Sequence, residues 1–228
     1  MEKIAAILIA AHFMGDFFLQ PKKMVRNKRL PIMLILHGAI HAATTWLLLQ
    51  LWNCWEAPLA VFTLHTIIDL IKQRFGNERG ATFIADQTAH LLSLILLASF
   101  LSHGTEGVEF SGNGYPLLTG FAGFIATIRG SGFLITLFTR ELISKNNLKL
   151  DGLQNGEAFI GQLERGLIFL LFLTGQPEII GFLFLAKAIL RFEESKKQRV
   201  AEYILISTLL SFTAAIAISS ATLWAMRL

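Results

Sequence analysis

The sequence predicts an all-α membrane protein, a polytopic bundle of about eight transmembrane segments. Three observations predict it: a strongly apolar composition, apolar runs that recur along the whole chain, and basic residues confined to alternate loops. Apolar residues make up 54% of the 228 and charged residues only 16%, with a mean hydropathy of +0.57. Soluble domains carry ~25% charge, and a soluble chain of this length has no use for so much apolar surface. The single Cys54 excludes an internal disulfide and any cysteine-based zinc site. No nucleic-acid partner is called for; the partner implied is the lipid bilayer.

In chain order the apolar segments are 4–20, 31–52, 57–72, 81–102, 116–139, 158–174, 178–192 and 201–226. A helix needs about 20 residues to cross the hydrocarbon, with a lower limit of ~17, so the first, third, sixth and seventh are short. The sixth and seventh, joined by Thr174-Gly175-Gln176-Pro177, are short enough to form a re-entrant hairpin instead. The first segment resembles a signal peptide, but His12 and Asp16 stand where a small-residue cleavage site is wanted. It is therefore expected to stay as the first span. The whole of 1–228 reads as one integral membrane domain, with a four-helix half over 1–102 and a second helical half over 116–226.

Charge placement gives the orientation. Lys22, Lys23, Arg26, Lys28 and Arg29 follow the first segment, and Lys72, Arg74 and Arg79 follow the third. Arg140, Lys145 and Lys149 follow the fifth; Arg191, Lys196, Lys197 and Arg199 follow the seventh. The intervening loops carry Glu56, Glu106, Glu109 and Glu178 and no Lys or Arg. By the positive-inside rule the basic loops are expected to be cytoplasmic and both termini external. The stretch 140–157 is the only sizeable cytoplasmic connection expected.

Five of the six histidines fall into pairs spaced by four, with Asp16, Asp69 and Asp86 as the other partners. The pairs are His12/Asp16, His37/His41, His65/Asp69 and Asp86/His90. A spacing of four stacks two side chains on one helix face, which is how a helix offers two ligands to one ion. Each pair lies roughly 5 to 12 Å of helix from a basic loop, at ~1.5 Å per residue, so all four share one depth in the cytoplasmic half. A lone intramembrane histidine is commonly a helix-packing hydrogen-bond partner. Three carboxylates in apolar helices are another matter, each costing roughly 2.5–3.5 kcal/mol at a span centre.

These eight residues are the predicted metal ligands. Five imidazoles and three carboxylates suit Zn, Mn, Fe or Ni better than Mg or Ca. Eight ligands exceed the three or four that one zinc site uses, so two or more divalent ions are expected. Two such ions against three carboxylates leave +1, which a bridging hydroxide cancels, and that hydroxide is a nucleophile at neutral pH.

The second half adds Glu164, readable as a general base or a further ligand, and Arg129, Arg165 and Lys187, readable as holders of an anionic group. The bland alternative is an ion pair from Glu164 locking the sixth and seventh segments together. His103 reads as a solvated loop residue. A weak internal repeat joins HxxxD then HxxxH in the first two segments to HxxxD then DxxxH in the next two.

The strings AHFMGDFFLQ, HGAIHAATT, HTIIDLIK, FIADQTAHLLSL, GQLERGLIFLLFLTGQPEIIGFLFLAKAILRFEE and AEYILISTLLSF resemble a bacterial membrane protein family, domain of unknown function 3307. Ser207 stands where the family's last motif has glycine. The resemblance runs along nearly the whole chain and implies the membrane layout but no activity. In ligand type alone, the pairs are similar to those of membrane-bound metal-dependent hydrolases.

Three functions follow as expectations. The first is a metal-dependent hydrolase acting on a phosphate ester or lipid head group at the cytoplasmic face. The second is a divalent-metal transporter of zinc type, since HxxxD pairs also resemble zinc-transporter sites; against it, transporter sites tend to lie near the midplane, and conduction needs release. The third is a structural or partner-binding subunit braced by its metals.

Overall fold

The computed structural model describes residues 1–27, 30–77, 79–103, 114–148, 156–190 and 198–228. Lys28, Arg29, Glu106, Glu109, Arg191, Lys196, Lys197 and residues 149–155 of the 140–157 connection lie outside the described residues; the start of that connection is helical, since α7 runs to Asn146. Every regular element among the described residues is helical: α1 Glu2–Phe17, α2 Lys22–Arg26, α3 Pro31–Leu49, α4 Glu56–Phe75, α5 Gly80–Ser102, α6 Gly114–Ile125, α7 Ser131–Asn146, α8 Gly156–Leu173, α9 Ile179–Leu190 and α10 Gln198–Met226. A π-helical turn, Ala126–Gly130, joins α6 to α7, so that Gly114–Asn146 runs as one helix.

Four of these helices are long and apolar enough to cross a membrane: Pro31–Leu49, Gly80–Ser102, Gly114–Asn146 and Gln198–Met226. The others fall short for identifiable reasons. α1 has 16 residues and α9 has 12. α4 carries Glu56, Asp69, Lys72 and Arg74, and α8 carries Glu157, Glu164 and Arg165, so each is diluted by charge.

Local chemistry explains the ends. Pro31 opens α3, where its missing N–H costs nothing and its fixed φ suits a helix. Asn147 closes α7 in the left-handed region at φ 50°, its N–H returning to the Ile143 carbonyl, a conformation asparagine tolerates. Gly175, at φ 71°, ends α8, and the Gln176 N–H reaches the Leu171 carbonyl at 2.8 Å. The expected Thr174–Pro177 turn therefore sits where α8 gives way to α9.

The chain divides into two compact units, Met1–Ile125 with Trp224–Leu228, and Ala126–Leu223. In the first, α1 packs on α3, α3 on α4, α4 on α5, and α5 back on α1, a closed ring of four helices; α6 packs outside on α1. One end of the ring is filled by an apolar layer of Ile4, Ile7, Leu8, Leu49, Val61, Leu94, Ala98 and Leu101. These come from the N-terminal ends of α1 and α4 and the C-terminal ends of α3 and α5, so alternate helices run in opposite directions. In the second unit Ile168, Ile180, Phe212 and Ala215 bring α8, α9 and α10 together.

Polarity is arranged inside out. Leu96, Phe100, Phe182 and Leu190 are 71–83% exposed, whereas His37, His41 and His90 are at most 2% exposed. Apolar exteriors of this extent suit a lipid surround, consistent with an integral membrane protein.

Two glycines allow the helices of the ring to meet. A Cβ on Gly15 would run into the His41 ring, and one on Gly38 would meet the Thr66 hydroxyl and the Phe62 ring. Gly38→Ala is expected to cost about 1–3 kcal/mol by overpacking, read as a lowered thermal midpoint of the purified protein. Gly181→Ala, in α9, meets nothing within 4 Å, and its midpoint should stay near that of the natural protein.

Candidate metal centre

Below the apolar layer, the ring helices turn their paired residues inward. His12 and Asp16 come from α1, His37 and His41 from α3, His65 and Asp69 from α4, and Asp86 and His90 from α5; all are buried except Asp16, whose side chain is 11% exposed. The i, i+4 spacing keeps each pair on one face, and ring closure aims the four faces at one volume.

Asp16 is the hub. Its Oδ1 lies 3.1 Å from His37 Nε2, 3.3 Å from His41 Nε2 and 3.9 Å from His65 Nε2. Its Oδ2 lies 3.6 Å from His12 Nε2 and accepts a hydrogen bond from Gln87 Nε2 at 3.1 Å. Asp69 Oδ2 stands 3.6 Å from His37 Nε2 and 3.9 Å from His65 Nε2. The His41 and His65 rings stack with centroids 3.6 Å apart, and His65 lies 4.3 Å from the His90 ring.

Among the described residues, two groups have ligand atoms all within 4.8 Å of one another: Asp16, His37, His41 and His65, and then His65, Asp69 and His90. A tetrahedron with bonds of ~2.0–2.1 Å has edges of roughly 3.3 Å. The Asp16–His37 and Asp16–His41 separations are already near that edge, so the first group is the tighter. His65 belongs to both.

The His90 ring has a defined tautomer. Its Nδ1 lies 2.9 Å from the Asp86 carbonyl, an acceptor only, so Nδ1 carries the proton and donates. Nε2 is left with a lone pair and no hydrogen-bond partner; His41 Nε2 and His65 Nε2 also make no hydrogen bond. Buried imidazole nitrogens rarely go unsatisfied, and a ring fixed through Nδ1 with Nε2 bare is the arrangement of a ligating histidine.

His12 and Asp86 stand outside these two groups. His12 Nε2 is 3.3 Å from the Gln87 carbonyl oxygen. Asp86 Oδ2 accepts from Lys72 Nζ at 2.6 Å and from Gln87 Nε2 at 3.4 Å, while Oδ1 has no hydrogen-bond partner. A void of about 10 Å³ opens among His12, His65 and His90, close to one water in size.

Sequence reasoning missed three participants. Gln87 bridges Asp16, Asp86 and His12; Gln20 places its amide nitrogen 3.3–3.4 Å from the His37 ring nitrogens; Lys72, read as a loop cation, reaches back to Asp86. A signal existed. Gln20 follows Asp16 by four and Gln73 follows Asp69 by four, so HxxxDxxxQ occurs twice, once running past the end of α1 and once within α4.

Glu164, Arg129, Arg165 and Lys187 belong to the second unit. Glu164 Oε2 accepts from Lys187 Nζ at 2.7 Å, the pair between α8 and α9 that the bland reading expects. His103 is exposed just beyond α5, with Nδ1 2.6 Å from the Ser99 carbonyl.

Residues 4–111 match the model of a family described as "Protein of unknown function (DUF3307)". That stretch is a DUF3307 domain. The DUF3307 match takes in all eight paired residues together with Gln20, Lys72 and Gln87, and stops short of the second-half strings. No curated protein and no solved structure matches the chain.

Lys72→Met should leave the Asp86 carboxylate without its cation. Because the Lys72 side chain is 31% exposed, the expected cost is about 1–3 kcal/mol, below the ~3–5 kcal/mol of a fully buried pair. A combined Lys72→Met, Asp86→Asn variant should recover most of it, measured by thermal unfolding of the single and double variants.

Proposed function

We propose that the DUF3307 domain holds a transition-metal centre inside the membrane, with two divalent ions (Zn, Mn, Fe or Ni), and that the protein is a metal-dependent hydrolase. The observation that carries this reading is the convergence of Asp16, His37, His41, His65, Asp69 and His90, from four helices, with His90 fixed through Nδ1 and its Nε2 left bare. His65, which both groups share, would sit between the two ions. His12 and Asp86 complete the set when Gln87 and Lys72 give way.

In this reading the chain lies in a bacterial inner membrane with eight spans, its basic loops cytoplasmic and its termini outside. The centre then faces the cytoplasmic half, where a phosphate ester or lipid head group meets the bilayer. The void beside His12, His65 and His90, lined also by Val61, Leu64 and Leu94, has room for one water, and ions held by the neighbouring histidines would supply the Lewis acidity to make such a water a nucleophile. Gln87 and Gln20 orient Asp16 and His37. Lys72, partly exposed beside the site, supplies a cation for an arriving phosphate.

A second reading, in which the ions brace the bundle for a partner subunit, is favoured by the close burial of the histidines and the small size of the void. Transport draws less support, since buried ligands packed this closely favour retention over release.

Elemental mass spectrometry of the purified, dialysed protein tests the centre. Two ions per chain are expected, with loss of at least one in the Asp69→Ala, His90→Ala double variant; no stoichiometric metal in the natural protein would sink both leading readings. Metal-dependent turnover of a phosphoester or phospholipid panel then separates hydrolase from brace. Gln87→Ala should lower that turnover by the ~10–100-fold that losing a ligand-orienting partner costs, and a metal-loaded protein inert on every member of the panel leaves the brace.

A further inference from the structure

The second unit contains a cavity of about 630 Å³ between α7, α8 and α10, within the ~300–1,000 Å³ typical of small-ligand sites. Arg129, Arg140, Arg165 and Lys187 line it, against the two carboxylates Glu157 and Glu164. Lys187 is already paired with Glu164 at 2.7 Å, and Glu157 accepts from the Tyr203 hydroxyl at 3.2 Å. The lining as a whole keeps an excess of two positive charges.

Arg165 is the informative residue. It is 4% exposed, and no carboxylate lies within ion-pairing distance of it among the described residues. Nη2 donates to the Ile128 carbonyl at 2.9 Å and Nη1 to the Ser211 hydroxyl at 3.4 Å, while Nε has no hydrogen-bond partner. The guanidinium rests between Gly132 and Gly161: a Cβ on the first would meet Nη2 at 2.6 Å and on the second Nη1 at 3.0 Å. Two glycines make room for this head group, and the Ile128 carbonyl it holds belongs to the π-helical turn Ala126–Gly130. Turns of this kind frequently mark functional sites.

A buried guanidinium with no carboxylate in contact is costly, and an arginine fork is suited to phosphate. Ile135, Ile143 and Ile160 add an apolar wall, which a bare inorganic ion does not need. We propose that this cavity binds the phosphate of a phosphomonoester, a dianion whose charge matches the excess, anchored on Arg165 with Arg129 and Arg140 alongside. The site is built from the second unit alone and needs no metal in the first.

The shared chemistry is a phosphate dianion, supplied either by a lipid phosphomonoester or by free phosphate, and native mass spectrometry of the purified full chain distinguishes them. Dioleoyl phosphatidic acid, dioleoyl phosphatidylcholine and inorganic phosphate are the probes. Phosphatidic acid should bind at least about tenfold more tightly than phosphatidylcholine, whose phosphate is already neutralised by choline. Arg165→Gln and Arg140→Gln should each weaken it by about tenfold, the scale of one charge-assisted hydrogen bond. Full displacement by millimolar inorganic phosphate would assign the site to free phosphate; persistence of the lipid would assign it to the head group. Because Arg165 also braces Ile128, its variant is checked for folding by thermal unfolding, and exposed Arg140 decides if Arg165→Gln does not fold. Equal retention of the two lipids with no phosphate bound, or phosphatidic acid binding unaltered in the folded variants, overturns the proposal.

Discussion

A carboxylate withdrawn from water must find charge or hydrogen bonds close by, and Asp16 is where this chain meets that demand. Burying an ionised group without partners costs several kcal/mol. Asp16 avoids the cost by gathering His12, His37, His41 and His65 around it and taking a hydrogen bond from Gln87. Those contacts reach from α1 to the other three helices of the ring. The polar layer thus sets which faces turn inward, and the apolar layer from Ile4 to Leu101 closes the remaining end.

The same demand separates Asp16 from Asp86. Asp86 is answered by a lysine arm that folds back from the end of α4, whereas Asp16, among the described residues, is answered by imidazoles and an amide. Lysine pairing leaves a carboxylate neutralised by a full charge; imidazoles donate to it while neutral and can exchange that proton for a cation. A site able to hold a cation therefore centres on Asp16 and thins out toward Asp86.

Much of this was legible in the sequence because helical period is a local property. Four-residue spacing in apolar runs fixes each pair to a face, and the alternation of basic loops brings the faces to one depth without any knowledge of packing. What escaped depended on longer reach. Lys72 closes the third apolar segment and looks like a loop cation, but α4 continues to Phe75, so Lys72 is still helical and can bend back to Asp86. Gln20 and Gln87 are neutral amides that composition does not distinguish from boundary residues; only the repeat of HxxxDxxxQ hints at the first. The π-helical turn has no compositional mark, and the cavity around Arg165 needs helices far apart in sequence to meet.

The spread of helix lengths has a consequence for the surrounding lipid. The continuous helix Gly114–Asn146 has 33 residues, about 50 Å at ~1.5 Å per residue, while α9 has 12, about 18 Å on the same rise. A hydrocarbon layer of ~30 Å cannot match both. The long helix has slack that it can spend on tilt or on extending its polar end, Arg140–Asn146, into the head groups; a short helix can only draw the bilayer thinner or pull its flanks inward. A bilayer of fixed thickness therefore suits the long helix through tilt and leaves α9 short of a full crossing.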